Sequence, residues 1–175
     1  MLNTELIKSF QTSQKKYKKG QIIENEGTLS KYLYFIESGA CKQYLVNNVG
    51  DQIVFRLIVE GDFCAAAYSL ITGKKSISFI ECCQDSVISI YDYQAISVEY
   101  DKSLALANLS RQISENYFIE EQERAIALRK LSPRERYEKL CNEKPEHLQV
   151  FNLGDIASYL GMRRETLSRV RRERF

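Results

Sequence analysis

The chain has 175 residues, a hydrophobic fraction of 44% and a formal net charge of +2, long enough to bury a core in one large or two small domains. No apolar run approaches the roughly 18 residues of a membrane span and no charged-then-apolar leader follows Met1, so a cytoplasmic protein with no membrane partner is expected. Five cysteines, Cys41, Cys64, Cys82, Cys83 and Cys141, lack CxxC spacing and predict reduced thiols rather than a disulfide framework or a zinc site.

Taken in chain order, Asn3–Phe10 reads as a short helix with Leu6, Ile7 and Phe10 on its apolar side. Lys15, Lys16, Lys18 and Lys19 follow as a solvated patch on a surface loop. From Gln21 to Ile90 the period becomes that of strands, rich in β-branched and aromatic residues. The predicted strands are Ile22–Ile23, Tyr32–Ile36, Cys41–Val46, Ile53–Ile58, Ser76–Ile80 and Ser86–Ile90, separated by turns at Gly27, Gly39, Gly50, Gly61 and Gly73. So many short strands with glycine corners predict a barrel or sandwich. Cys82 and Cys83, adjacent in a strand, should point to opposite faces.

A short helix near Tyr93–Glu99 precedes a helical stretch over Lys102–Leu131, longer than an ordinary globular helix. Leu106, Leu109, Ile113, Ala127 and Leu131 lie on one seam, interrupted by Asn116, Glu120 and Glu123, which leaves pairing with a second subunit or packing on the chain's own strands open. Ser132-Pro133-Arg134-Glu135 is a capping box with proline at the first helical position, so a new helix starts at a domain boundary after Leu131. From Arg129 onward 12 Lys and Arg stand against 7 Asp and Glu, whereas residues 1–128 carry 13 against 16. An acidic front and a basic rear predict a division of labour.

The C-terminal segment reads as a helix-turn-helix. Asp155, Ile156, Ala157, Tyr159 and Leu160 form a short amphipathic stretch, Gly161 supplies the left-handed turn, and Leu167 and Val170 are the apolar face of a second helix. The start of such a second helix meets base edges in the major groove. Arg164, Glu165 and Arg169 are therefore the expected base contacts, arginine to guanine and glutamate to cytosine. Arg163, Ser168, Arg171 and Arg172 are the expected phosphate contacts. Arg163 stands at the N-cap position, where it cannot accept an amide bond, a loss of about 1 kcal/mol that a DNA phosphate would offset. Double-stranded DNA is the expected partner.

A β-rich module, a long helix and a C-terminal helix-turn-helix in this order resemble the Crp/Fnr family of bacterial transcription regulators. The residues that carry the resemblance are Lys19-Gly20 with Ile22-Ile23, Glu26-Gly27, Leu33–Ile36 with Gly39, Gly61-Asp62-Phe63 and Arg164–Arg169. The resemblance implies an α+β chain: an antiparallel, jelly-roll-like β-roll of the cyclic-nucleotide-binding type over residues 1–101, a long dimerisation helix over 102–131, and a small helical DNA-binding domain over 132–175. It also implies a homodimer on a two-fold-symmetric operator, with recognition helices about 34 Å apart.

The expected effector pocket departs from the members that bind cyclic AMP. Where those carry Gly-Glu for the ribose and Arg-Ser for the cyclic phosphate, this sequence has Ala65-Ala66 and Ser76-Ile77. The pocket, with Ala67 and Tyr68 beside it, reads as degenerate: a phosphate needs a cation or converging donors, and Lys74 and Lys75 read as solvated turn residues. No cofactor is expected, since no set of thiolates suits an iron-sulfur cluster and the single histidine, His147, reads as a surface residue beside the DNA-binding helices. An unidentified small-molecule effector is left open. Without a nucleophile-base pair or a phosphate-cradling loop the chain is not expected to be an enzyme. The competing reading is a small-ligand-binding or protein-interaction module in which the β-roll is the working part.

Overall fold

The computed structural model describes residues 4–173. Asn3, where the first helix was expected to begin, and Arg174 and Phe175 lie outside the described residues. A 3₁₀ helix over Thr4–Phe10 buries Ile7 but leaves Leu6 exposed. Strands β1 (Gln11–Tyr17), β2 (Ile22–Glu24), β3 (Tyr32–Ser38), β4 (Ala40–Val46), β5 (Gln52–Val59) and β6 (Phe63–Cys64) follow. Helix α1 (Ala67–Thr72) separates these from β7 (Phe79–Cys82) and β8 (Ser86–Asp92). They form two antiparallel four-stranded sheets, in the orders β1-β8-β3-β6 and β2-β7-β4-β5.

The period-two pattern closes the space between the sheets. Tyr34 and Ile36 of β3, Ile88 and Ile90 of β8, Cys41 of β4, Ile58 of β5 and Ile80 of β7 make one buried cluster, burial worth roughly 1.5–3 kcal/mol per large side chain. Cys82, the last residue of β7, belongs to this interior, while Cys83, in the bend just after the strand, packs with the other cluster. The corner between β3 and β4 demands glycine: Gly39 has φ +93°, and a Cβ there would lie 2.7 Å from the Asp85 carbonyl oxygen.

Two strand expectations need correcting. Lys15 and Lys16 are not on a loop but on β1, opposite Ile88 and Val87 of β8; β1 is mostly exposed and so shows no apolar pattern. The segment from Ser76 becomes a strand only at Phe79, because Ser76 and Ser78 are buried in a local turn, the Ser76 hydroxyl donating to the Ser78 carbonyl at 2.9 Å.

Helices α2 (Tyr93–Ser97) and α3 (Leu104–Lys130) follow the strands. Leu106 and Leu109 of α3 are buried with Ile7, Phe63, Tyr91 and Ile96, and Ile113 packs beside them. That end of the expected dimer seam therefore meets the chain's own β-roll. The polar residues that interrupt the seam dock the next helix: Glu120 pairs with Lys144 at 2.7 Å and Glu123 with Lys139 at 3.3 Å.

Helix α4 (Pro133–Glu143) begins with the expected capping box, the Glu135 N–H donating to Ser132 Oγ at 3.3 Å and the Ser132 N–H to Glu135 Oε2 at 2.7 Å. The single-turn α5 (His147–Val150) carries a correction. His147 is not a surface residue: it is 2% exposed and meets the Phe151 ring edge-on at 5.5 Å. Burial, aided by the Lys144 charge, pushes its pKa down to about 4.

Candidate functional site

The last two helices are α6 (Leu153–Tyr159) and α7 (Arg164–Glu173). Asn152 caps α6, its side-chain oxygen accepting the Asp155 N–H at 2.9 Å. Gly161, at φ +64°, ends the helix. Its N–H donates to the Ser158 carbonyl and the Met162 N–H to the Ala157 carbonyl, both at 3.0 Å, the paired bonds of a Schellman turn. This reverses the chain in the fewest residues and sets the angle at which α7 leaves.

Leu167 is fully buried and Val170 nearly so, in a core shared with Tyr137, Leu140, Ile156 and Ala157. That core fixes the roll of α7 about its axis. Arg163, Arg164, Glu165, Arg169, Arg171 and Arg172 are exposed, and Ser168 is half-buried. At 100° per residue, Glu165, Ser168, Arg169 and Arg172 share the side opposite Leu167 and Val170, and Arg164 stands at its edge, about 60° from Leu167. No ion pair or side-chain hydrogen bond ties up these arginines among the described residues, so their donors are free for an anionic partner.

An anchor that sequence reasoning missed holds this unit on the β-roll. Lys42 Nζ lies 2.9 Å from Asp155 Oδ1, 2.8 Å from Gln52 Oε1 and 3.9 Å from Glu81, and both side chains of the first pair are about 10% exposed. Beside it, Ser158 of α6 accepts the Val54 N–H at 2.9 Å and donates to the Gln52 carbonyl at 3.1 Å. These are backbone groups of β5, an edge strand, so Ser158 covers polar atoms that an open edge would leave unpaired. A lysine in β4, among Ala40, Cys41, Tyr44, Leu45 and Val46, was the available signal, since a lysine buried on a strand needs a partner.

Of the expected effector-pocket residues, Ala65 and Ala67 line one cavity and Ala66, Tyr68, Ser76 and Ile77 do not. Ala66 and Ser76 are buried, Ala65 and Ala67 half-buried, and Tyr68 and Ile77 exposed. The Ser76 hydroxyl is already bonded to Ser78, and Ile77 is 51% exposed. A cyclic phosphate would meet neither a cation nor converging donors at these two positions, so they do not fit that group.

The sequence profile of the cyclic nucleotide-binding domain matches residues 14–102, which take in the whole of the two sheets from Gln14 onward. The chain belongs to the cyclic nucleotide-binding domain family. The relatives it matches are named as regulatory proteins. The Fumarate and nitrate reduction regulatory protein of Vibrio cholerae is 26% identical over 167 residues, covering 89% of this chain and 66% of that relative; the chain thus spans just under two thirds of its length. FixK2 from Bradyrhizobium japonicum superposes with a TM-score of 0.81 at 19% identity, covering 92% of this chain and 83% of that one. A transcriptional regulator of the Crp/Fnr family from Eubacterium rectale does so with a TM-score of 0.72 at 21% identity, covering 97% and 80%. The α+β architecture implied by the family resemblance is thus the observed one, and this member of the domain family has Crp/Fnr regulators as homologues and structural neighbours.

Proposed function

We propose that the chain is a cytoplasmic, sequence-specific DNA-binding transcription regulator of the Crp/Fnr type that acts as a homodimer, without catalytic activity. The observation that carries this reading is the outward face of α7, with Arg164, Glu165 and Arg169 exposed on a helix whose orientation Leu167 and Val170 hold. Arginine presents a fork that matches guanine O6 and N7, and glutamate an acceptor for the cytosine amino group. Arg163, Ser168, Arg171 and Arg172 flank that face and take the phosphates, which position the helix without reading sequence. Residues 132–175 then form the reader, 102–131 the dimer helix and 1–101 the sensor.

The dimer seam moves to the side of α3 away from the roll. Leu104, Ile119 and Ile126 are 78%, 53% and 55% exposed, and at 100° per residue they fall within one arc of about 60°, with Asn108, Glu115 and Gln122 between them. These exposed apolar side chains, interleaved with polar ones, suit a second copy of the same helix. Cyclic AMP is not the effector in this reading, because Ser76 and Ile77 stand where its phosphate would need a cation.

Selection of bound sequences from a random DNA pool, followed by footprinting, tests the proposal. The expected product is a two-fold-symmetric site whose half-sites are one helical turn, about 34 Å, apart. A footprint without that symmetry refutes it.

A further inference from the structure

Among the cavities of the described residues, one lies beside part of the expected effector pocket and away from the expected DNA contacts, and taking it as the sensor's site rests on the proposed function. It encloses about 430 Å³ between the roll, the 3₁₀ helix and helices α1, α2 and α3, within the roughly 300–1,000 Å³ of small-molecule sites. Ala65 and Ala67 line it, but Ala66, Ser76 and Ile77 do not. Its walls are apolar, built from residues such as Leu33, Phe63, Leu70, Ile96, Ile113 and Phe118.

Arg56 is the one charged residue in that lining. Its guanidinium donates through Nη2 to the Phe63 carbonyl at 2.9 Å and lies 4.8 Å from the centre of the Tyr117 ring. A guanidinium carries five N–H donors, and no carboxylate pairs with this one within 4.0 Å among the described residues. Burial raises the carboxyls of Glu121, a turn beyond Tyr117 on α3, and of Asp62; both feel the Arg56 charge without pairing with it, Glu121 after the stronger effect of Arg124. Holding a cation against an apolar wall is costly unless it is paired. The partner that answers both the wall and the spare donors has one anionic, planar, bidentate head and an apolar body.

We propose that this cavity binds an apolar monocarboxylate, its carboxylate on Arg56 and its hydrocarbon body between the roll and helices α1–α3. The fork of Arg56 holds the two carboxylate oxygens side by side, and Tyr117 stacked on the guanidinium keeps the fork in position. A ligand seated there touches α3, the helix that joins the roll to the reader.

Titration calorimetry on the full chain tests this with octanoate as probe, octanamide as its neutral analogue and acetate as its analogue without the apolar body. Octanoate is expected to bind saturably, and octanamide and acetate each about tenfold more weakly or worse. Arg56→Gln is expected to weaken octanoate about tenfold while leaving octanamide unchanged, and Ala67→Phe, which fills the cavity, to abolish both. Should Arg56→Gln not fold, Arg56→Lys keeps the charge without the fork and is expected to weaken octanoate alone. Octanamide binding as tightly as octanoate overturns the proposal, as does octanoate binding unchanged in the Arg56 variants, or no saturation by octanoate up to about 1 mM. Cyclic AMP displacing octanoate, and losing its own binding in Ala67→Phe, would give the cavity to a nucleotide and overturn it equally. None of these readouts involves DNA, so failure here leaves the DNA-binding reading standing.

Discussion

Replacing Asp155 by alanine is expected to destabilise the protein by about 3 kcal/mol, a large part of the roughly 5–15 kcal/mol that holds a domain folded. The substitution leaves the Asp155 N–H bond to Asn152, and hence the α6 cap, in place. What it removes is the anion 2.9 Å from Lys42 Nζ in an interface where both side chains are about 10% exposed. Breaking a buried pair from one side costs roughly 3–5 kcal/mol, because the surviving charge stays desolvated. Gln52 at 2.8 Å and Glu81 at 3.9 Å remain to Lys42, which places the expected loss at the low end. Lys42→Met should cost at least as much, since Asp155 then keeps only the Asn152 amide, 2.5 Å away. The double variant Lys42→Met with Asp155→Leu should recover most of the loss, as apolar replacement of a whole buried pair is often neutral. Urea unfolding followed by circular dichroism, read as midpoint shifts at constant slope, closes the double-mutant cycle, with an expected coupling of about 2 kcal/mol. A loss below about 1 kcal/mol for Asp155→Ala, the range of solvent-exposed pairs, would refute the reasoning. So would a double variant as unstable as the two single losses added together.

Arg164→Ala is expected to weaken binding to the selected operator and relax specificity at one base pair per half-site by about 1–3 kcal/mol; unchanged base preference in a repeated selection contradicts its role. Arg171→Ala should instead weaken all sequences alike and flatten the salt dependence of binding, measured by titrating salt against specific and random duplexes. Gly161→Ala should destabilise the reader by about 1–2 kcal/mol, because the φ of +64° is retained and the new Cβ would lie 2.6 Å from Leu128 Cδ2; a melting point equal to wild type would mean the turn can relax. His147 is held neutral in the fold with its pKa lowered from 6.5 to about 4, so below pH 6.5 the unfolded chain takes up a proton that the folded chain does not. Stability contributed by this residue is therefore full above pH 6.5 and falls by up to about 1.4 kcal/mol per pH unit between there and pH 4. Comparing unfolding midpoints at pH 7 and pH 5 for the native chain and His147→Gln checks this, the variant being expected to lose less.

Much of the architecture is legible along the chain because it rests on local rules. The capping box at Ser132–Glu135, the glycine turn at Gly161 and the Leu167–Val170 stripe involve residues a few positions apart, whose relation is set by helical rotation alone. Alternation along β3 and β8 is legible for the same reason. Where the rule has no apolar partner to act on, it is silent: β1, mostly exposed, is polar at every position before Tyr17, and the buried Ser76 and Ser78 look like surface serines until their own hydrogen bonds are seen. On α3 the apolar residues are easily found, but two sides of the helix carry them, and periodicity does not say which side meets the roll. Arg56 and Lys42 stood in view as charges within apolar strands, while their surroundings did not.

The sequence by itself determined the order of the modules, the helix-turn-helix and which side of α7 faces outward, since each follows from periods of 2 and 3.6 residues and from caps and turns a few residues long. Tertiary structure alone decided that Lys42 meets Asp155, 113 positions away, that His147 is buried, and that Arg56 faces an apolar cavity. Those outcomes depend on which surfaces close on one another. A surface formed by distant segments has a polarity and a shape only after the chain has folded back to make it.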